Sequence, residues 1–320
     1  IVNMARNFVG TNNLNILIPN GLFGSRVEGG DDAGSPRYIQ TSLNLLAKII
    51  FNNDDLAVIE YNYDDNLTKI EPKFYVPVVP YQLFNSVAGI GTGYSTSIPA
   101  YNPIDICNNI YKFLENEEMD DIHPWYRFFK GSIVEESPKK YNCNGVYTID
   151  KDTIIITELP IGVWTTSFKK MLDEFLEIKQ QLKVSSKNEE KNALKTMGRS
   201  TSKSKGKSTS KTTSIKLTTA KGDATEKKIN TLMQEIANSL VDYKEDYTDI
   251  RIYFELYFEE GSLEKLLKNP EFLKKLNLQT KIAVTNITLV DKNNSIKKYE
   301  SINDILTEFC DVRLEYYDIR

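Results

Sequence analysis

A guanidinium and a phenol stand side by side near the start of this 320-residue chain, in the triplet Pro36-Arg37-Tyr38. A phenol can attack a phosphodiester, but an ordinary pKa of about 10 leaves roughly one in a thousand ionised at neutral pH, a handicap of about 4 kcal/mol. A neighbouring arginine favours the phenolate and holds phosphate oxygens through charge-assisted hydrogen bonds. The pair is therefore a candidate for nucleophilic chemistry, although with 18 tyrosines and 40 basic residues such neighbours also arise by chance.

The segment before this pair has the composition of a sharply turning backbone. Glycines stand at positions 21, 24, 29, 30 and 34. Glycine tolerates backbone angles that other residues avoid, so several tight turns are expected. Pro36 then fixes the backbone next to Arg37 and Tyr38. The pattern predicts a shaped loop surface that presents the phenol.

A second glycine-rich motif, Gly89-Ile90-Gly91-Thr92-Gly93, follows an apolar run. A dinucleotide site would also need a strand, a turn, a helix and a distal acid, which this motif lacks. We therefore reject a nucleotide-binding fold here. Taken alone, Ile90 among glycines is more often a loop anchor packed on a core.

Further candidate contacts to nucleic acid are one tryptophan and several basic residues. Trp164 follows the triplet Glu158-Leu159-Pro160, although a tryptophan at a helix start usually packs in a core. Arg6, Arg26 and Lys130 could meet phosphates, and the common alternative for each is a solvated surface charge.

The sequence predicts neither a metal site nor a membrane span. Three cysteines lie far apart without a CxxC motif, and the single His123 has no ligand-type neighbour at metal spacing. The acid pairs at 31–32, 54–55 and 64–65 occur in turn-like contexts. No stretch approaches the roughly 20 apolar residues of a membrane helix, and the first residues lack the layout of a signal peptide, so an intracellular protein is expected.

The sequence predicts both helices and strands around these residues, so an α+β fold is expected. Strand-like runs lie at 16–18, 74–79, 154–156 and 250–258, and helical periodicity at 43–51, 104–114 and 168–176. Turn residues at 64–66 and 292–294 predict two hairpins. Ser301 and Asp304 form a predicted capping pair for a last helix.

A basic, low-complexity segment interrupts this pattern. Residues 179–228 hold 14 Lys and Arg against 4 Asp and Glu, a net charge of +10. Since the whole chain has a net charge of −4, the residues outside this segment have a net charge of −14. Such a composition predicts a mostly disordered insert, placed at 179–236. The alternatives are a basic arm that binds nucleic acid and a tolerated surface expansion, and the second is favoured.

The motifs NFVGTNN, GLFGSRVEGGDDAGSPRYI, GIGTG and ELP, in this order, resemble the type IIA DNA topoisomerases of the eukaryotic branch. The resemblance covers nearly the whole chain apart from the basic segment. It implies that Tyr38 forms a 5′-phosphotyrosyl link with DNA, that Arg37 stabilises the transition state, and that Ile90 wedges between base pairs. It also brings Trp164 to the DNA. Asp31 departs from the pattern, since a lysine is usual there.

The resemblance also implies a domain plan. Residues 1–70 would be the later part of a winged-helix-like domain that carries the tyrosine. Residues 71–300 would be a mixed α/β tower domain, and residues 301–320 the start of a coiled-coil helix. The chain would then be the breakage and rejoining segment of a larger ATP-dependent enzyme.

The remaining implications concern partners and cofactors. The full enzyme would act on double-stranded DNA as a homodimer, in the nucleus, without a membrane. It would need Mg²⁺ and ATP, both bound by domains absent from this chain. One alternative is a non-catalytic DNA-bending scaffold derived from the same family. A tyrosine recombinase would need a set of Arg and His residues that a single histidine disfavours.

Overall fold

The computed structural model describes residues 1–197 and 224–320. These residues form fifteen strands and nine α-helices, with 3-10 turns at Pro36–Tyr38 and Asn53–Ala57. The strands, β1 to β15, are Leu17–Asn20, Gln40–Leu43, Tyr61–Tyr63, Lys69–Pro72, Val87–Gly91, Tyr94–Ile98, Ser132–Ser137, Lys140–Asn144, Val146–Asp150, Thr153–Glu158, Leu240–Glu245, Phe254–Phe258, Gln279–Ala283, Thr288–Val290 and Ile296–Lys298. The helices, α1 to α9, are Val2–Ala5, Leu45–Ile50, Tyr81–Phe84, Pro103–Leu114, Thr165–Met197, Ala224–Ser239, Ser262–Leu267, Phe272–Lys275 and Ile302–Ile319.

The loop that carries the tyrosine is closed at its base by two paired strands. β1 and β2 run antiparallel, with Leu17 opposite Leu43 and Asn20 opposite Gln40. Everything between 21 and 39, including the glycine-rich segment, is therefore one excursion from a two-stranded ribbon. The pairing of β1 and β2 holds the two ends of the excursion together.

The larger hydrophobic core lies between a four-stranded sheet and two helices. The strand order is β11-β12-β10-β9, and every neighbouring pair is antiparallel. β12 alternates buried Phe254 with half-buried Glu255, as expected of a sheet with one face in a core. α5 packs the fully buried Phe168 and Leu172 against this face, and α6 adds Ile236. The predicted helical face at 168–176 is present.

A second core joins the middle of the chain to its last helix. Leu83, Ile98 and Ile106 pack there with Ile302 and Leu306 of α9. A capping box at Ser301 and Asp304 starts α9, as the sequence predicts. α9 is further tied to the first part of the chain through the buried ion pair of Arg313 with Asp55, 2.8 Å apart.

Several local predictions match and one strand prediction is wrong. Hairpins β3–β4 and β14–β15 lie where turn residues predict them. No strand forms at 74–79, because Pro77 and Pro80 cannot donate to a ladder. The predicted strand at 250–258 begins only at Phe254.

The predicted disordered insert at 179–236 is wrong at both of its ends. Residues 179–197 continue α5, and residues 224–236 belong to α6. Lys179 is buried and donates to the Leu240 carbonyl at 2.8 Å, while Leu232 lies in the larger core. Tertiary contacts of Lys179 and Leu232 therefore hold parts of the segment near its two ends. Residues 198–223 lie outside the described part of the chain.

In the described ranges, the structure contains no helix of the length and apolarity needed to cross a lipid bilayer. The domain boundaries at residues 70 and 300 stay predictions.

Candidate active site

Tyr38 ends a 3-10 turn that holds its side chain away from the core. Pro36 occupies the first turn position, and the Tyr38 N–H donates to the Ser35 carbonyl at 2.9 Å. The side chain is 77% exposed, and the guanidinium carbon of the exposed Arg37 lies 5.2 Å from the centre of its ring. Both the phenol and the guanidinium are therefore accessible from solvent. The accessible arrangement is the one that nucleophilic chemistry requires.

The segment of residues 22–35, here called the 22–35 loop, is closed by its own hydrogen bonds. Gly30 N–H donates to the Ser25 carbonyl at 2.9 Å, and Gly34 N–H donates to the Leu22 carbonyl at 2.9 Å. Gly24 has a φ of +94°, and a Cβ atom there would lie 2.5 Å from the Gly30 Cα. The predicted dense turns are present, and glycine is sterically required at position 24.

Asp32 contributes a carboxylate to the same loop. Its Oδ1 accepts the Ser25 N–H at 2.8 Å. Burial would raise the pKa of Asp32, but the hydrogen bonds from Ser25 and the attraction of Arg6 lower it overall. The charged form of Asp32 is therefore the one that holds the turn.

Arg6 also serves this loop. Its guanidinium donates to the Phe23 carbonyl at 3.3 Å and to the Gly30 carbonyl at 2.7 Å. A Cβ atom on Gly30 would overlap this guanidinium. The predicted phosphate contact of Arg6 therefore competes with two carbonyl contacts inside the protein.

The predicted contact of Arg26 with a phosphate is wrong, because the Arg26 side chain is buried. Arg26 is 5% exposed and forms an ion pair with Glu158, which is 2% exposed. Glu158 also accepts the N–H groups of Leu159 at 3.0 Å and of Lys130 at 3.3 Å. Arg26 cannot meet a phosphate from this position, since its charge is already neutralised inside the protein. The Lys130 side chain, in contrast, is exposed.

Trp164 packs against the loop as well. The ring lies edge-on to Phe8, with centroids 6.0 Å apart, and its indole borders Gly29, where a Cβ atom would overlap it. The Thr166 N–H donates to the Val27 carbonyl at 3.0 Å. Half-buried Trp164 is therefore first a packing partner of the 22–35 loop, and its DNA contact stays a prediction.

Ile90 is the most exposed of the large apolar side chains that the structure describes, at 94%. It lies opposite Ser95 in the β5–β6 hairpin, one residue before the end of β5 at Gly91. A loop anchor would be buried, so that interpretation of Ile90 is wrong. An isoleucine held out on a two-stranded ribbon has the shape of a wedge.

Magnesium does not fit the side chains described. Within residues 1–197 and 224–320, no three His, Cys, Asp or Glu side chains converge as a metal site. The acid pairs are engaged otherwise: Asp32 caps a turn, Asp55 pairs with Arg313, and Asp64 accepts N–H groups of its own hairpin.

Sequence reasoning missed Glu158 as a functional partner. Its carboxylate lies 132 positions from Arg26, and no local pattern links the two. The glycine pair at 29 and 30 signals the close approach of Trp164 and Arg6 to the backbone, and not that of Glu158.

The residues on which the sequence resemblance to type IIA DNA topoisomerases rests, Tyr38, Arg37 and Ile90, are all exposed. The chain belongs to the family formed by the A subunits of DNA gyrase and topoisomerase IV, whose model matches residues 1–213 and 184–320. The resemblance predicted from the sequence motifs is confirmed.

Individual relatives agree with this assignment. DNA topoisomerase 2 of Acanthamoeba polyphaga mimivirus is 43% identical over 329 residues, which cover 100% of this chain and 25% of that protein. DNA topoisomerase 2-beta of Homo sapiens is 34% identical over 322 residues, covering 100% of this chain and 16% of that protein. The chain thus spans a quarter or less of the length of these curated relatives.

A solved structure confirms the α+β fold class. The Plasmodium falciparum topoisomerase II DNA-binding, cleavage and re-ligation domain superposes with a TM-score of 0.76 at 34% identity, covering 99% of this chain and 36% of that one. The finer description as winged-helix-like, tower and coiled-coil parts stays a prediction.

Proposed function

We propose that this chain is the breakage and rejoining segment of an ATP-dependent type II DNA topoisomerase, with Tyr38 as the residue that becomes joined to DNA. The observation that carries the proposal is the 77% exposure of Tyr38 beside Arg37, directly after the hydrogen-bonded 22–35 loop. A tyrosine kept only for packing would be buried. The relatives named DNA topoisomerase 2 support the enzyme over a non-catalytic scaffold.

The proposed reaction is a reversible transesterification. The Tyr38 phenolic oxygen attacks a backbone phosphorus, the bond from phosphorus to the 3′ oxygen breaks, and the 5′ phosphate stays on the tyrosine. The phenol loses its proton and the departing 3′ oxygen gains one, so no water is consumed. Arg37 donates to the phosphate oxygens, where negative charge develops. The freed 3′ hydroxyl reverses the step and reseals the strand.

Ile90 is proposed to bend the duplex. An apolar side chain pushed between base pairs unstacks one step and kinks the helix. Such bending costs on the order of 1 to 6 kcal/mol, offset by added backbone contacts. The exposed Lys130 is a candidate for one of these contacts, whereas Arg26 is not.

A homodimer is proposed because the chain contributes one Tyr38, and a break in both strands needs two. Mixed dimers of wild-type and Tyr38→Phe chains should nick one strand, and native dimers should cut both. Magnesium and ATP are proposed to bind parts of the parent enzyme other than these residues. The proposed location is the nucleus, which imaging of the tagged parent enzyme tests.

The central test uses the parent enzyme, stopped with detergent during turnover. Wild-type enzyme should leave protein attached to the 5′ ends of DNA, and Tyr38→Phe should leave none. Tyr63→Phe is the matched control, since Tyr63 is also exposed, at 59%. Protein-linked DNA from the Tyr38→Phe enzyme would remove Tyr38 from this role.

A further inference from the structure

The 22–35 loop is contacted by Arg6, Trp164 and Glu158, three side chains from distant parts of the chain, and these contacts together are here called the grip. Arg6 binds two of its carbonyls, at Phe23 and Gly30, from the N-terminal side. Trp164, at the start of α5, covers Gly29. Glu158, at the end of β10, holds Arg26 by an ion pair. The grip therefore links the loop before Tyr38 to the four-stranded sheet.

We propose that the buried Arg26–Glu158 pair is a positioning device for Tyr38, fixing the phenol for in-line attack without touching DNA. The proposal rests on the proposed function. Arg26 and Glu158 are positioning residues, and Arg6 and Trp164 complete the grip.

The chemistry of this contact suits positioning better than general packing. Apolar groups can slide over one another at little cost, whereas a guanidinium and a carboxylate meet in defined directions. Arg26 also donates to the Leu159 carbonyl at 3.3 Å, and Glu158 accepts the Leu159 N–H at 3.0 Å. The 22–35 loop and the end of β10 are thus joined by several directional contacts in one buried region.

A shift at Arg26 has a continuous route to Tyr38. Ser25, next to Arg26, is hydrogen-bonded to both Gly30 and Asp32, so it ties the two sides of the loop together. The Gly34 N–H returns to the Leu22 carbonyl, and the Tyr38 N–H binds the Ser35 carbonyl. A displacement of about 1 Å at a reacting group can cost roughly 100-fold in rate.

The test is Glu158→Gln in the parent enzyme, which keeps the shape of the side chain and removes its charge. At saturating DNA, covalent complex should form about 100-fold more slowly. The Kd for uncleaved duplex should stay within about twofold, with an unchanged salt dependence, because a buried pair releases no counterions from DNA.

The matched control is Asp55→Asn, which breaks a second buried ion pair, with Arg313. It should lower the Tm and leave the rate of covalent complex formation at saturating DNA unchanged. If Glu158→Gln lowers only the Tm, the pair is merely structural and the proposal fails. If it weakens DNA binding and flattens the salt dependence, the site is a DNA contact and the proposal also fails.

Two safeguards keep the result decisive. If Glu158→Gln does not fold, Arg26→Lys keeps the buried positive charge but loses the directional guanidinium contacts, and it must show the same split between rate and Kd. If the wild-type enzyme forms no Tyr38-dependent covalent complex, the proposed function fails. If the wild type and Glu158→Gln cleave equally, only the positioning proposal fails.

Discussion

Replacing Ile90 by alanine should impair DNA bending and spare folding. The side chain is 94% exposed, so the folded protein loses almost no contacts with it. Exposed substitutions of this kind usually change the free energy of unfolding by less than about 0.5 kcal/mol. The Tm of Ile90→Ala should therefore match that of the wild type.

The cost in the bent complex follows from the same exposure. A side chain that enters the base stack becomes buried, and Ile→Ala removes three of its carbon atoms. At about 0.8 kcal/mol for each buried methylene, the bent complex loses roughly 2 kcal/mol. Since 1.4 kcal/mol is a factor of ten, bending should weaken by about 30-fold. This loss is comparable with the cost of bending itself, on the order of 1 to 6 kcal/mol.

The assay is energy transfer between dyes on the two ends of a duplex of about 30 base pairs. The parent enzyme should raise the transfer efficiency as the duplex bends, and Ile90→Ala should raise it far less at equal occupancy. Ile104→Ala is the control, because Ile104 is also exposed, at 67%, but lies on α4. Equal transfer efficiency and equal affinity for wild type and Ile90→Ala would refute the wedge.

Three other perturbations test the framework that holds the site. Arg313→Ala should lower the free energy of unfolding by up to about 3 to 5 kcal/mol in urea titrations, because it leaves the Asp55 carboxylate, 5% exposed, with only the more exposed Arg320 as a partner. The lowered pKa of Asp32 gives a stabilisation that is present above the ordinary carboxyl pKa of about 4 and lost as the pH falls through its lowered value. The Tm difference between wild type and Asp32→Asn should therefore shrink in acid. Gly24→Ala should destabilise by more than about 1 kcal/mol in calorimetry, since its φ of +94° and the nearby Gly30 backbone both reject a Cβ atom.

Local signals predicted local structure well. Phe168 and Leu172 repeat at helical spacing and do form the buried face of α5. The turn at 64–66 gives the β3–β4 hairpin, and Ser301 with Asp304 gives the capping box of α9. In each case the residues that decide the structure lie within a few positions of one another.

Nonlocal contacts explain the failures. The composition of the segment at 179–236 predicts disorder. Lys179 nevertheless donates to the Leu240 carbonyl, and Leu232 packs in a core built mostly from other segments. At 74–79 the apolar residues suggest a strand, but the Val78 N–H donates to the Ile50 carbonyl instead of to a ladder. Propensity could not reveal these partners, since each depends on the assembled fold.

The distinction between Arg26 and Lys130 shows where sequence reasoning about basic residues stops. Both are cations near motifs of the proposed site, but one is buried against a carboxylate and the other is exposed. The neighbouring glycines carry the usable signal. Gly29 and Gly30 lack side chains where Trp164 and the guanidinium of Arg6 lie against the backbone, so the loop leaves space for groups that come to hold it.

A basic residue in such a loop has two kinds of oxygen to contact: those of a DNA phosphate outside the protein, and carbonyl or carboxylate oxygens inside it. Oxygens inside the protein are the better partners where the loop must be rigid before binding, because a contact to phosphate forms only once DNA is bound. An ion pair such as Arg26 with Glu158 orders the loop before DNA arrives. Preordering of this kind lowers the entropy cost of reaching the reactive geometry. The exposed Lys130, outside the loop, is therefore a better candidate for a phosphate contact than the buried Arg26.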